Sequence, residues 1–437
     1  MSTPREIKTA AKQAELAPAI LAEVADAVAR RLPADAALAA IYRQRREFGS
    51  RDRRFFSGLV FAYYRWKGWT DALGVSDAAA AAVIACILNS PELHPAVSVL
   101  ADRAGIAPAA RTPLGALPLR EKASALAAAL GASQVPGLDA LAPDWFAAAV
   151  HVPAGADRAA HVARCIEAFQ SRPPAWLRIR AGTAVEAGGI LKSGGLSATF
   201  HPRLANACAV PDAAALTSRM PELRRIADIQ DLASQAVGSV CAPAVGSRWW
   251  DACCGAMGKS ILLSDLMGGT GRVVASDLRE SAIEEGRHRV QRAGVSGIRA
   301  EARDAAGGPP PGRRFDGVLV DAPCSGLGTW HRNPDARWRT RAADVPECAD
   351  RQSRILAAAA GGVRPGGSLV YAVCTLTRAE TEDVVAGFLA ARADFALAPF
   401  PHPLSGEPTG GAAWIWPWDG PCNGMFIARF RRDSEKK

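Results

Sequence analysis

The sequence predicts a chain of three parts whose C-terminal half is an α/β domain, a doubly wound sheet of mostly parallel strands. Three observations carry this. From about residue 226 to the end, short apolar runs alternate with segments of helical periodicity. From residue 1 to about 140, apolar residues recur at helical spacing with no strand-like alternation. Between these, from about 145 to 225, short Gly-bounded pieces mix a helical stretch with an alternating one, as in a small α+β module.

In the first part, Ile20, Leu21, Val24, Val28 and Leu32 share one helix face. Pro33 ends that helix, and Asp35 is placed to cap the next, which carries Leu38, Ile41 and Tyr42. Arg43, Arg45, Arg46, Arg51, Arg53 and Arg54 then crowd one turn region. They are either a solvated face or a patch for phosphates, and in the second case binding should weaken steeply with salt. In the middle part, Trp176, Leu177, Arg178, Ile179 and Arg180 alternate as a strand. In the last part the strand candidates are SRWWDA, RVVASD, GIRAEARD, FDGVLVDA and GSLVYAVC. Helical patterns lie between several of them: SILLSDLM, ESAIEEGRHRVQRAG and PECADRQSRILAAAAGGV. The closing GMFIARF reads as a last, edge strand.

A chain of 437 residues exceeds what one core usually covers, so two or three domains are expected. The formal net charge of +9 and the pI of about 9.2 suit a polyanionic partner without establishing one. The ten Cys form no CxxC pair, and MSTPREIKTAAKQAE lacks the apolar centre of a secretory signal. No run reaches the ~18 apolar residues of a membrane helix. The expectation is a cytoplasmic chain with free thiols, no zinc or other metal, and no membrane span.

The stretch Asp251–Ser260, DACCGAMGKS, ends like a nucleotide phosphate loop. That motif needs a Gly five residues before Gly258, where Cys253 stands. The loop suits a nucleoside cofactor without phosphates instead, needing close backbone approach only at Gly255 and Gly258. Asp277, at the end of the second strand, stands about 20 residues on, where an acid can accept ribose hydroxyls. Asp304, after the third strand, can meet an adenine amino group, and Asp321 ends the fourth. Asp251, Asp277, Asp304 and Asp321 thus mark successive carboxyl ends of strands, the edge where open α/β sheets bind ligands. S-adenosylmethionine fits this better than a dinucleotide.

Cys324, in DAPCSGLGTW, and Cys374, in LVYAVCTLTRAETED, sit at the same predicted edge. A methyl donor beside two thiols suits one reaction in particular. Carbon 5 of cytosine is a poor nucleophile until a thiolate adds to carbon 6. An unperturbed thiol is only ~3% ionised at pH 7, so the site must activate it. A strand-end carboxyl such as Asp321 can assist at N3. Trp330, His331 and Trp338, after the fourth strand, are open to packing or to base stacking.

These residues resemble the RNA cytosine-5 methyltransferases of the Sun/Nop (RsmB-like) family. The matching pieces are IQDLASQAVG, DACCGAMGKS, VVASDL, VLVDAPCSGLGTWHRNPDARW, RQSRILAAAAGGVRPGGSLVYAVCTLTRAETEDVV and GMFIARF. The resemblance implies a Rossmann-like class I methyltransferase domain over 226–437. It also implies a NusB-like helical RNA-binding domain over 1–140, carried by ALAAIYRQRREFGSRDRRFFSGLVFAYYRW, and an RRM-like module over 145–225, entered at PPAWLRIR. By the same resemblance, Cys374 is the nucleophile on carbon 6 and Cys324 assists product release. Asp277 holds the ribose, Asp304 the adenine, and Asp321 lies between cofactor and base. Cys253, Cys254, Gly255, Ala256, Met257, Gly258 and Lys259 line the cofactor, with Lys259 either aimed at the centre or on the surface. One departure stands out: Met257 occupies a position that is usually Gly, so a left-handed backbone there costs ~1 kcal/mol.

The implied substrate is a single-stranded or unfolded region of RNA, ribosomal RNA first and transfer RNA second, bound by a monomer. Three readings compete with it. A non-catalytic assembly factor is opposed by the retained Cys pair and acids, and a phosphate-loop NTPase by Cys253. A DNA cytosine methyltransferase would make Cys324 the nucleophile and leave Cys374 idle.

Overall fold

The computed structural model describes residues 4–434 apart from 181, 212 and 313. It divides into two compact units: Met1–Arg172 with Trp330–Arg341, and Pro173–Thr329 with Ala342–Lys437. The break expected near residue 140 therefore falls inside the first unit.

The first unit is helical. It opens with α1 (Pro4–Ala29), α2 (Ala34–Gln44), α3 (Ser50–Ala72), α4 (Ala78–Asn89) and α5 (Pro95–Arg103). Ile20, Leu21, Val24 and Val28 are buried, whereas Leu32 lies past the helix end and is 50% exposed. Asp35 is not a cap: it sits in the first turn of α2, and its carboxylate accepts from Ala36 N. The amide of Ala34 instead donates to Asp335 at 3.1 Å, from the segment that returns to this unit 301 positions later. Spacing along one helix cannot reveal a cap supplied from so far away. Trp330, in that segment, is fully buried against Phe146 and Phe169, and His331 is buried too. These two are core residues, not base-stacking ones, and the Trp338 indole donates to the Tyr64 carbonyl at 2.7 Å. Arg43, Arg46, Arg51, Arg53 and Arg54 are exposed, and the Arg45 guanidinium lies over the Phe48 ring.

The second unit begins with a four-stranded antiparallel sheet. Its strands are β1 (Ala175–Ile179), β2 (Thr199–Phe200), β3 (Ala207–Val210) and β4 (Ala227–Ile229), in the order β2-β3-β1-β4. Helices Ala184–Ser193 and Ala213–Leu223 complete a βαββαβ chain. Arg178 on β1 is buried, and its charge is met by Asp228 and Asp265.

The larger sheet holds β5 (Arg248–Asp251), β6 (Arg272–Asp277), β7 (Ile298–Ala302), β8 (Phe315–Asp321), β9 (Val363–Val373), β10 (Phe395–Leu397), β11 (Ala412–Ile415) and β12 (Met425–Arg432). The order is β10-β12-β9-β8-β5-β6-β7, with β11 paired to β12. The strands from β9 through β7 run parallel, and β12 is antiparallel to its neighbours. The closing strand is therefore not at the edge: β10 and β11, too short to read from sequence, cover its outer side. On central β5, Trp249 packs into one core and Trp250 into the other, as alternate residues of a strand buried on both faces must. Trp249 lies over Gly317 of β8, where a Cβ would meet its ring at 2.3 Å. The chain runs from β5 outward to β6 and β7, then crosses back to β8 on the other side of β5, so the ligand crevice opens at the carboxyl ends of β5 and β8. Among the described residues, no helix is long and apolar enough to cross a membrane.

Candidate active site

Asp251 ends β5 inside that crevice and is fully buried. Burial raises its carboxyl to about 7, against the hydrogen bond that Ser260 Oγ donates at 2.6 Å. Its other oxygen, Oδ1, is buried with no hydrogen-bond partner. An orphaned acceptor of this kind suits a cationic ligand group.

The following loop hangs from the end of β6. Cys254 N donates to the Ser276 carbonyl at 2.9 Å, and Gly255 N to Asp277 Oδ2 at 3.0 Å. Asp277 is buried, and its Oδ1 accepts from Arg279 N at 2.9 Å. Gly255 has φ +49°, and nothing lies within 4 Å of where its Cβ would stand, leaving room for a ligand against bare backbone. Asp304 lies in an exposed turn after β7 and caps Ala306 N. These features fit an S-adenosylmethionine nucleoside and its charged groups. Burial raises the thiols of Cys253 and Cys254.

Met257 adopts φ 59°, ψ 24°, immediately before helix Gly258–Leu266. The left-handed turn is thus kept without glycine. The compensation is packing: Met257 is fully buried with Cys254, Ala275 and Ile283, and a Cβ on Gly286 would come 2.6 Å from its Cγ. Met257→Gly would relieve ~1 kcal/mol of backbone strain but empty a buried niche whose loss costs ~2–5 kcal/mol. The expected net result, read by denaturant unfolding, is a loss of about 1–4 kcal/mol.

Lys259 is not a surface residue. Its ammonium lies 2.6 Å from Asp321 Oδ2 and 3.3 Å from Ser234 Oγ. Burial alone would lower its pKa. The charge and hydrogen bond of Asp321, with smaller contributions from Cys374 and Asp251, raise it instead.

The two thiols meet. Cys324 Sγ lies 3.3 Å from Cys374 Sγ, each on the loop that leaves a neighbouring strand, β8 or β9. The backbone continues the pairing beyond the strands. Ala322 N donates to the Ala372 carbonyl at 2.9 Å, and Gly328 N to the Cys374 carbonyl at 3.1 Å. Gly328 is also pressed against Gly424, where a Cβ would meet a carbonyl oxygen at 2.1 Å, so glycine at 328 is a packing requirement. The hydrogen bond with Cys374, then burial, push the Cys324 thiol well up.

Sequence reasoning missed the group that holds both loops. Glu380 is fully buried. Its Oε1 accepts from Ser325 N at 2.8 Å and Gln352 Nε2 at 3.0 Å. Its Oε2 accepts from Thr375 Oγ1 at 3.0 Å, Thr377 Oγ1 at 2.8 Å and Ser325 Oγ. The residue after each Cys is therefore tied to one carboxylate. The only sequence signal was a Glu among Thr residues just past a strand, which reads equally well as a polar surface loop. Among the described residues, no group of three or more His, Cys, Asp or Glu side chains could hold a metal.

Residues 239–431 match the family model described as 16S rRNA methyltransferase RsmB/F. The probable ribosomal RNA small subunit methyltransferase B of Synechocystis is 34% identical over 210 residues, 47% of each chain. The chain spans about half the length of the curated relatives it matches. Two solved structures share the fold. A methyltransferase homolog protein from Pyrococcus horikoshii is 24% identical over 64% of this chain and 96% of its own, with a TM-score of 0.54. NSun6 from Pyrococcus horikoshii with SFG is 18% identical over 63% and 95%, with a TM-score of 0.56. Residues 239–431, which hold the doubly wound sheet and the paired strand-end cysteines, are thus similar to the RsmB/F methyltransferase family.

Proposed function

We propose that the chain transfers a methyl group from S-adenosylmethionine to carbon 5 of a cytosine in ribosomal RNA, through a covalent adduct between Cys374 and carbon 6. The observation that carries this is the 3.3 Å approach of two thiols at the carboxyl ends of adjacent parallel strands, beside the crevice.

When bound, S-adenosylmethionine supplies an electrophilic methyl on a sulfonium. Asp277 would accept from its ribose hydroxyls, Asp304 would meet the adenine edge, and Asp251 Oδ1 would take a cationic group. The Cys374 sulfur adds as thiolate to carbon 6 and leaves carbon 5 electron-rich enough to take the methyl. Cys324 is held neutral by its hydrogen bond with Cys374. Once Cys374 is bonded to carbon 6, Cys324 gives its proton to water and, as the thiolate, takes the carbon 5 proton. The C–H electron pair re-forms the 5,6 double bond, the Cys374–carbon bond breaks to release Cys374 as thiolate, and the methylated base leaves. Asp321 is salt-bridged to Lys259. An ionised carboxylate only accepts hydrogen bonds. Its natural partner on cytosine is the exocyclic amine, which favours positioning of the base over proton delivery to N3.

The target base must leave its stack to reach thiols set in a crevice, which favours a single-stranded or unfolded region. The helical unit, with its exposed Arg43, Arg46, Arg51, Arg53 and Arg54, is read as a NusB-like RNA-binding domain, and the βαββαβ module as RRM-like. A cytoplasmic monomer is the working form. The test is transfer from methyl-labelled S-adenosylmethionine to unfolded ribosomal RNA, followed by nucleoside analysis. Label is expected in 5-methylcytidine, and label confined to another nucleoside would overturn the reading.

A further inference from the structure

The amino ends of β5, β6 and β7 lie at the opposite ends of the strands from the chemistry above. Each carries an exposed arginine there: Arg248, Arg272 and Arg299. Strand register puts all three on one face of the sheet. Arg248 pairs with Arg272, and Val274, two residues past Arg272, pairs with Arg299. Aligned residues of parallel neighbours share a face, as do residues i and i+2 of one strand. Arg248 and Arg272 are thus like charges on strands ~4.8 Å apart, with Arg299 on the strand beyond. Charges so placed repel one another.

This face is open because of one connection. The opposite face is covered: helix Glu280–Ala293 sets Ile283 against Ala275, with Ile298 and Ala300 beside it. The connections from β5 to β6, β6 to β7 and β8 to β9 all contain helices. The connection from β7 back to β8, residues 303–314, has none among its described residues. It is a strap instead, closed where Arg303 donates to the Pro309 carbonyl at 2.8 Å, with Pro310 laid against Gly362. A depression of about 430 Å³ remains, lined by the three arginines with Val274, Pro311 and Phe315. The carboxylates here are already engaged. Glu301 is shared by Arg299 and Arg303, and Asp316 accepts from Arg364 and from the Arg248 amide. The Arg248 guanidinium lies over the Phe315 ring, and that of Arg272 has no hydrogen-bond or ion-pair partner among the described residues.

We propose that this face is a second anchor for the RNA substrate, gripping its phosphate backbone away from the target cytosine. This rests on the RNA methyltransferase reading. Charge complementarity names the occupant: a row of guanidiniums in excess over carboxylates meets a chain of phosphates. Each guanidinium presents a fixed fork of donors that matches two phosphate oxygens. Strand β6 is six residues long, so Arg272 stands ~17 Å from Asp277 at its carboxyl end. The anchor therefore holds RNA beyond the immediate neighbours of the target. Phosphate contacts carry no sequence information, so it would add grip and register rather than choose the cytosine.

The test uses the full chain and a long unfolded fragment of ribosomal RNA, bound across a series of salt concentrations. The variants are the triple Arg248→Gln/Arg272→Gln/Arg299→Gln and the matching triple to Lys. In the Gln triple, affinity at low salt should fall at least about tenfold, and the log–log salt slope should become shallower by about 2. The Lys triple should keep the wild-type slope. In the Gln triple KM for RNA should rise, while kcat and S-adenosylmethionine affinity stay unchanged. Equal affinity and slope in the Gln triple and the wild type would overturn the proposal, leaving the arginines as charges that protect edge strand β7. Loss of S-adenosylmethionine binding in the Gln triple would overturn it too, by making the row structural. So would cytidine monophosphate binding that the Gln triple abolishes at unchanged RNA affinity, which would mark a pocket for a free nucleotide. Failure of the wild type to methylate cytosine would instead strike the reading it rests on, and the salt slopes would still report on the anchor.

Discussion

Cys374→Ala is expected to lower methyl transfer by at least about 10³-fold, leaving S-adenosylmethionine affinity unchanged. Cys324→Ala should behave differently: a single methyl is transferred, turnover stalls, and methylated RNA stays bonded to the protein on a denaturing gel. The asymmetry comes from the surroundings of the two sulfurs. The Cys324 thiol is pushed up by its hydrogen bond with Cys374 and by burial. A sulfur held neutral is a poor nucleophile. Once Cys374 is bonded to the base, the hydrogen bond that held the Cys324 proton is gone, and Cys324 can lose that proton to water and take the carbon 5 proton as the thiolate. Removing it should therefore block release and leave attack intact.

Glu380 should rank next in effect, although it touches neither substrate nor cofactor in this account. Glu380→Ala would leave Ser325 N and the Thr377 hydroxyl without their acceptor, while Gln352 Nε2 keeps the Pro323 carbonyl and the Thr375 hydroxyl keeps Ser325 Oγ. Each buried donor left without a partner costs ~1–3 kcal/mol, so a stability loss of about 3 kcal/mol or more is expected. Both Cys loops would also drift, and a misplacement of ~1 Å can cost 10²-fold in rate. Glu380→Gln separates positioning from charge. Its carbonyl can stand at the Oε1 position for the two fixed N–H donors, and its amide can donate to hydroxyls that rotate to accept. The Gln variant should keep kcat within about tenfold of wild type, while the Ala variant loses about 10²-fold or more in kcat with little change in KM. Equal losses in both variants would assign Glu380 a role through its charge.

The α/β sheet was legible because its central strands are buried on both faces and read as continuous apolar runs with an acid at each carboxyl end. The same pattern placed Asp251, Asp277, Asp304 and Asp321 along one edge and put Cys324 and Cys374 on adjacent strand ends. Illegible were features whose partner lies far along the chain. Asp335 capping Ala34, Trp330 buried among Phe146 and Phe169, and Glu380 gripping Ser325 leave no local periodicity. The closing strand was misplaced to the edge for a related reason: strands of three and four residues, β10 and β11, carry too little pattern to announce that they flank it. Met257 shows the limit of residue-type rules. The left-handed backbone was foreseeable from its position, but not the niche against Gly286 that accommodates the side chain.

The central claim is that the two sulfurs serve one covalent reaction on cytosine, with Cys374 attacking. It is tested most directly by incubating the full chain with S-adenosylmethionine and RNA carrying 5-azacytosine at its cytosine positions, in the wild type, Cys374→Ala and Cys324→Ala. The base analogue traps the protein because no proton remains at position 5 to be removed. A denaturation-resistant protein–RNA adduct is predicted for the wild type and for Cys324→Ala, and none for Cys374→Ala. An adduct that survives Cys374→Ala and disappears in Cys324→Ala would contradict the assignment.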